Sequence, residues 1–239
     1  MTRQRLDQYL VAKGMIATRS QAESFIRLGS VMVNGKKVER PAHNVLSTDT
    51  VKLTATERYV SRAGLKLASV AAVLDVDFTD KIVLDVGSST GGFTDYALQH
   101  RAKKVFAVDV GTDQLHPSLH GDERIELHEK TDIRDFVPSE QVDIVVMDVS
   151  FISLREILPH VAKISGKQAQ IVAMLKPQFE AGKAQVNKGV IKNDSVRRQI
   201  LKEFELWAKK LFVIVDKADS EVTGTKGNKE RFYLLKVVK

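Results

Sequence analysis

A chain of 239 residues that is 43% hydrophobic and has no cysteine suits one ordinary domain plus a small one, each with a buried core. That excludes disordered and fibrous readings, disulfide frameworks and thiolate metal sites, and the six histidines show no paired ligand spacing, so no metal is expected. Residues 1–10 hold no apolar run of signal length, and no stretch approaches the roughly 18 apolar residues of a membrane helix. The expectation is a soluble, cytoplasmic protein with no membrane partner.

Net charge is +7, and residues 1–53 carry nine Lys/Arg against four Asp/Glu, so most of the excess sits in the front fifth of the chain. Such asymmetry suits a polyanion-binding arm on a near-neutral body, because a lysine or arginine near a phosphate releases counterions on binding. A merely solubilising basic face is the alternative.

The front segment has its own pattern. Leu6, Tyr9 and Leu10 followed by Gly14 predict a short amphipathic helix with a glycine stop. Ala22, Phe25 and Ile26 after Ser20, closed by Gly29, predict a second helix. Val31 to Val38 reads as a strand, an Asn34-Gly35 turn and a returning strand. Arg3, Arg5, Arg19, Arg27, Lys36 and Lys37 fall around the helix ends and the turn, where they can reach phosphates without entering the core. The run R-L-D-x-x-L with T-R-S and G-x-V-x-V-N-G resembles the S4 RNA-binding domain over residues 3 to about 53. The resemblance implies a grip on folded RNA by shape and backbone, which suits basic groups on a rigid scaffold without a stacking platform.

Residues 54–60 lack hydrophobic periodicity and are predicted to link this domain, residues 1–53, to a second over residues 61–239. There, a helix over about 60–76 is followed by strands at about 81–86, 104–108, 142–147, 170–175 and 211–216 with helices between most of them. The alternation predicts an α/β fold with a doubly wound, mostly parallel Rossmann-like sheet. The last strand, over 231–238, follows a turn too short for a crossover and should pair antiparallel at the sheet's edge.

Candidate chemistry falls at the strand ends. Asp85-Val86-Gly87-Ser88-Ser89-Thr90-Gly91-Gly92-Phe93-Thr94 is an apolar strand entering a glycine-rich turn before a helix. Glycines there let a ligand approach the backbone, and the helix start offers N–H groups to a cofactor carboxylate. Asp85, Gly87, Ser88, Gly91, Gly92 and Phe93 are the candidate cofactor contacts. Asp109 ends the next strand, where a carboxylate can accept from both ribose hydroxyls. An ordinary tight turn with a helix-capping Asp109 is the plainer alternative. Asp148 and Lys176 follow apolar strands, and Glu230 begins the last one, at the edge where α/β sheets bind ligands. Singly, each could be a surface salt-bridge member, and so could Lys66.

Ser61-Arg62-Ala63-Gly64-Leu65-Lys66-Leu67, the Asp85 to Thr94 loop, Val108 to Gly111, Met147 to Ser153, Leu175 to Glu180 and Lys229-Glu230 together resemble the TlyA family, often labelled hemolysin A. The resemblance covers essentially the whole chain. It implies an S4 domain joined to an FtsJ/RrmJ-like methyltransferase that uses S-adenosylmethionine on cytidine 2′-hydroxyls of ribosomal RNA, with ribosomal subunits as the setting. It further implies a catalytic tetrad of Lys66, Asp148, Lys176 and Glu230. Asp132 stands where the family pattern leads one to expect Asn; a carboxylate can still accept from an adenine amine. Lys176 is the candidate to stabilise a developing alkoxide or accept its proton, with Asp148 and Glu230 orienting the lysines. A non-catalytic RNA-binding or ribosome-assembly factor is the rival function and predicts a broken loop or tetrad; a pore-forming hemolysin would need a membrane-inserting segment.

Overall fold

A computed structural model describes residues 3–16, 19–27, 29–53, 59–182, 186, 189–191, 193–224 and 227–238, the side chains of residues 20, 21, 24 and 27 excepted. The chain divides into two compact units, Met1–Arg62 and Ala63–Lys239. Most of the expected linker, residues 54–58, and the Arg27 side chain lie outside the described residues.

The first unit runs β1 (Arg3–Arg5), α1 (Leu6–Ala12), α2 (Arg19–Arg27), β2 (Val31–Val33), β3 (Lys36–Lys37), β4 (Asn44–Leu46) and β5 (Val51–Leu53). Asn34 and Gly35 have φ of 51° and 76°, the left-handed pair that a two-residue hairpin requires, and β2 and β3 pair across them. Strands β1, β4 and β5 are not expected from the sequence: each is three residues long, too short to show a period. Leu6, Leu10, Ala22, Ile26, Val31, Val33 and Val45 form the unit's core, so both expected helices bury the faces their spacing marks.

The second unit contains α3 (Arg62–Ala71), β6 (Ile82–Val86), α4 (Gly92–Gln99), β7 (Lys104–Val108), β8 (Ile125–His128), β9 (Ile144–Met147), α5 (Leu154–Ile164), β10 (Gln170–Leu175), α6 (Pro177–Glu180), α7 (Asp194–Ala208), β11 (Phe212–Asp219) and β12 (Arg231–Val237). Its seven strands lie in the order β11-β12-β10-β9-β6-β7-β8. Residues of β6, β9 and β10 are buried almost throughout, as continuous apolar runs require when helices cover both faces.

The structure departs from the sequence expectation in the place of one strand and adds another. The last strand is antiparallel but not at the edge: β12 inserts between β10 and β11, pairing with both, which leaves β11 outermost. The Phe212-to-Val237 hairpin register lets β12 bury Phe232, Tyr233, Leu234 and Leu235, more apolar surface than β11 offers with Val213 and Val215 exposed. An edge strand β8 also pairs parallel with β7; its Ile-Glu-Leu-His sequence is too short and too polar to stand out.

Candidate active site

The carboxyl ends of β6, β9 and β10 converge, because Met147 pairs with Val86 on one side and with Ala173 on the other. In the antiparallel ladder Leu175 lies opposite Arg231, so the next residue on each strand, Lys176 and Glu230, begins outside the same edge. Register alone thus gathers Asp148, Lys176 and Glu230. Lys66 joins them from α3.

These four side chains form two ion pairs. Lys66 Nζ lies 2.5 Å from Glu230 Oε2, and Lys176 Nζ lies 2.6 Å from Asp148 Oδ1. Lys176 also donates to Ser150 Oγ at 2.7 Å. Both lysine side chains are 11% exposed, a depth at which an ammonium without a partner would be costly. Pairing each with a carboxylate offsets the repulsion that two cations at one edge would otherwise feel.

Beside them lie two cavities that share Gly87, Ser89, Asp148 and Ser150. The larger, about 400 Å³, has Asp109, Val110, Asp132, Ile133 and Phe151 among its lining residues. Its apolar walls suit a flat ring, with carboxylates beside it for hydroxyls and an amine. Asp109 accepts from Ser89 N at 2.8 Å and Gly111 N at 2.7 Å, holding the glycine loop to the end of β7 while each oxygen keeps lone-pair capacity. Asp132 is more committed: it caps the turn Ile133–Asp135 and takes Arg134 in a two-point contact, through Nε at 3.0 Å and Nη2 at 2.6 Å. Arg134 holds its carboxyl below the ordinary value.

The smaller cavity, about 160 Å³, is lined by Asp85, Ser88, Phe93, Asp148 and Lys176 among others. Thr94 Oγ1 donates to Asp85 Oδ2 at 2.7 Å, while Asp85 Oδ1 and Ser88 Oγ are buried without a hydrogen-bond partner. Burial pushes the Asp85 carboxyl up to about 7 against the Thr94 hydrogen bond. A buried carboxylate oxygen left open on a cavity is a socket for a cation, and an amino-acid ammonium fits it. The residues present therefore fit a cofactor with a nucleoside at one end and an ammonium at the other.

The glycine loop divides its labour. Gly87 has φ of 78°, and a Cβ there would meet Asp148 O at 3.1 Å and Val149 Cγ1 at 3.2 Å, so the close approach is to the loop carrying Asp148. Gly91, at φ of 84°, packs against Leu115 and Leu119. Neither it nor Gly92 is among the lining residues of these cavities, so their part is to make the turn and start α4. Gly87→Val should therefore lower cofactor affinity at least about tenfold, through backbone strain and a displaced Asp148 loop. Calorimetry on the folded variant checks this; an unchanged affinity would break the assignment.

Two further residues, Glu180 and Phe151, do not stand out in the sequence as site residues. Glu180, on α6, accepts from Ser153 Oγ and Leu154 N, both at 2.7 Å, and so ties the segment after β10 to the loop after β9. Burial raises its pKa against those hydrogen bonds. Phe151 is 90% exposed with φ of 66°, and its ring lies 5.2 Å from that of Phe179. Glu180 looks like one more surface charge in sequence, and nothing there marks a strained, outward-facing phenylalanine.

In the first unit Arg3, Lys36 and Lys37 are exposed, and Arg5 and Arg19 converge on Asp7; Lys37 is partly offset by Glu39 at 3.0 Å. Among the described residues no group of three acidic, His or Cys side chains could hold a metal, and no helix is long and apolar enough to cross a membrane.

A doubly wound sheet with a glycine turn, an acid ending the next strand and a split cavity at the switch point defines the class: a Rossmann-like fold whose site fits a nucleoside-bearing cofactor. Residues 59–237 match the FtsJ-like methyltransferase family and residues 4–51 the S4 domain. The chain belongs to the FtsJ-like methyltransferase family and carries an S4 domain in front, with TlyA and hemolysin A proteins among its relatives. It is 39% identical to hemolysin A of Brachyspira hyodysenteriae, over 95% of this chain and 97% of that one. It is 36% identical to the 23S rRNA (cytidine-2′-O)-methyltransferase TlyA of Campylobacter jejuni, over 94% and 96% respectively. A solved structure described as a hemolysin from Streptococcus thermophilus superposes with a TM-score of 0.78 at 36% identity, covering 100% of this chain and 90% of that one.

Proposed function

We propose that this protein transfers a methyl group from S-adenosylmethionine to the 2′-hydroxyl of a cytidine in ribosomal RNA, working on ribosomal subunits in the cytoplasm. The observation that carries the reading is the Lys176–Asp148 pair opening onto the smaller cavity, beside the buried Lys66–Glu230 pair. The name of the Campylobacter relative supports the substrate.

Asp109 and Asp132 would take the cofactor's ribose and adenine, and Asp85 its ammonium. When bound, the cofactor supplies an electrophilic methyl, so the protein's task is to orient a weak nucleophile and manage one proton. Lys176 is held by Asp148 and Ser150 where it can hydrogen-bond a 2′-oxygen and stabilise negative charge developing there. Lys66 and Glu230 pair with each other at the same edge, outside the residues that line the two cavities. Phe151, exposed beside the larger cavity, presents a face on which an unstacked base can rest.

The S4 domain would supply the RNA grip, through Arg3, Arg5, Arg19, Arg27, Lys36 and Lys37. Incubation with tritiated S-adenosylmethionine should label RNA in intact subunits more than the same RNA stripped of protein. Label in neither would overturn the reading.

A further inference from the structure

Asp7 is a charged residue in the first unit with no exposed surface. Both of its oxygens are taken up by arginine. Arg5 donates to Oδ1 through Nε at 3.0 Å and to Oδ2 through Nη2 at 2.8 Å, and Arg19 donates to Oδ2 through Nε at 3.0 Å. Gln8 N adds a fourth contact at 3.0 Å. The arginines themselves stay open to solvent, with side chains 40% and 54% exposed.

The scaffold beneath this cluster is stiff. Arg5 sits at the junction where β1 passes directly into α1, and Leu6 N and Asp7 N donate to His43 O at 2.7 Å and Pro41 O at 3.2 Å. The Arg5 guanidinium, helped by Arg19 and Gln8 N–H, holds the Asp7 carboxyl at about 2 despite burial, so it is charged wherever the protein meets RNA.

Electrostatically, Asp7 is a poor choice for an RNA-binding face, since it cancels one of the two positive charges it touches. Its compensation is geometric. A free arginine samples many rotamers, and immobilising it on a phosphate costs up to about tenfold in affinity. A carboxylate beneath two guanidiniums removes that loss before RNA arrives, and fixes the spacing between two phosphate contacts.

We infer that Asp7 is a positioning residue for RNA recognition, holding Arg5 and Arg19 as a preformed pair of phosphate-binding forks. This rests on the reading of the first unit as the RNA grip.

The test turns on sign. Asp7→Asn raises net charge by one, so a purely electrostatic face would bind every RNA more tightly. Positioning predicts instead that, in the full chain, affinity for ribosomal subunits falls by about tenfold while affinity for poly(U) stays level or rises. It also predicts non-additivity: in an Arg5→Gln/Arg19→Gln background, Asp7→Asn should change subunit affinity by less than about twofold. Unchanged or tighter subunit binding by a folded Asp7→Asn protein overturns the inference, and so does an equal loss in the background without the arginines, which would mark a structural role only. Should Asp7→Asn not fold, Arg5→Lys/Arg19→Lys keeps the net charge but removes the forks. Wild-type subunit affinity in that variant overturns the inference, and a loss confined to subunits supports it. If Arg5→Gln/Arg19→Gln itself leaves subunit binding intact, the RNA-grip reading of this face has failed first.

Discussion

Lys176→Ala is expected to lower methyl transfer by roughly 10²-fold or more at saturating RNA and cofactor, with both affinities little changed. The reasoning is geometric. Lys176 Nζ is held by Asp148 at 2.6 Å and Ser150 at 2.7 Å and lines the smaller cavity, so its removal takes away a preorganised donor while leaving the hydrogen bonds of Asp109 and Asp85 in place. Lys176→Arg should not rescue activity. A guanidinium stays protonated, and its planar fork cannot occupy a site built around a compact ammonium with two close oxygen partners. Near-normal turnover by the arginine variant would leave residue 176 a cationic positioning role and exclude proton acceptance. Normal turnover by the alanine variant would remove Lys176 from the active site.

Asp85→Asn should move stability and cofactor binding in opposite directions. The folded-state pKa of Asp85 is raised to about 7, chiefly by burial, whereas the unfolded carboxyl titrates near its ordinary value of 3.8. Between those values the folded chain binds the extra proton, so this group's contribution falls as pH rises from about 4 to 7 and stays low above. At pH 8 the buried charge costs on the order of a few kcal/mol. The asparagine variant escapes that cost. Its Tm relative to the parent should therefore be several degrees higher at pH 8 than at pH 5. Cofactor affinity should drop by about 10- to 10²-fold at pH 8, because the ammonium loses a buried charged acceptor. Scanning calorimetry without cofactor and titration with it read the two effects. Equal cofactor affinity for parent and variant would show that Asp85 is not the ammonium's partner.

Much of this fold and site is legible in the amino-acid sequence, for identifiable reasons. The apolar runs of β6, β9 and β10 ask for burial on both faces, which a covered parallel sheet provides, so the charges that end them, Asp148 and Lys176, fall at the carboxyl edge where such sheets bind ligands. A hairpin argument places Glu230 on the correct edge. The pairing that brings it opposite Lys176 is with β10, and a hairpin cannot reveal that its second strand inserts inward. Asp85 is visible as a candidate cofactor contact near the end of a strand, but its unpartnered buried oxygen is a property of packing alone. Glu180 and Phe151 escape notice for the same reason: the first matters through two hydrogen bonds to a distant loop, the second through a backbone conformation and an exposure that composition does not encode.

The chemistry of the product tests the central claim most directly. After reaction with tritiated S-adenosylmethionine, RNA from intact ribosomal subunits is hydrolysed in alkali, which cleaves each linkage through attack by the neighbouring 2′-hydroxyl. A methylated 2′-oxygen cannot attack. The expected result is that the label remains in an alkali-stable dinucleotide with cytidine on its 5′ side, and that Lys176→Ala abolishes it. Label recovered in mononucleotides, where base methylation would place it, or on protein would contradict 2′-O-methylation of RNA by this chain.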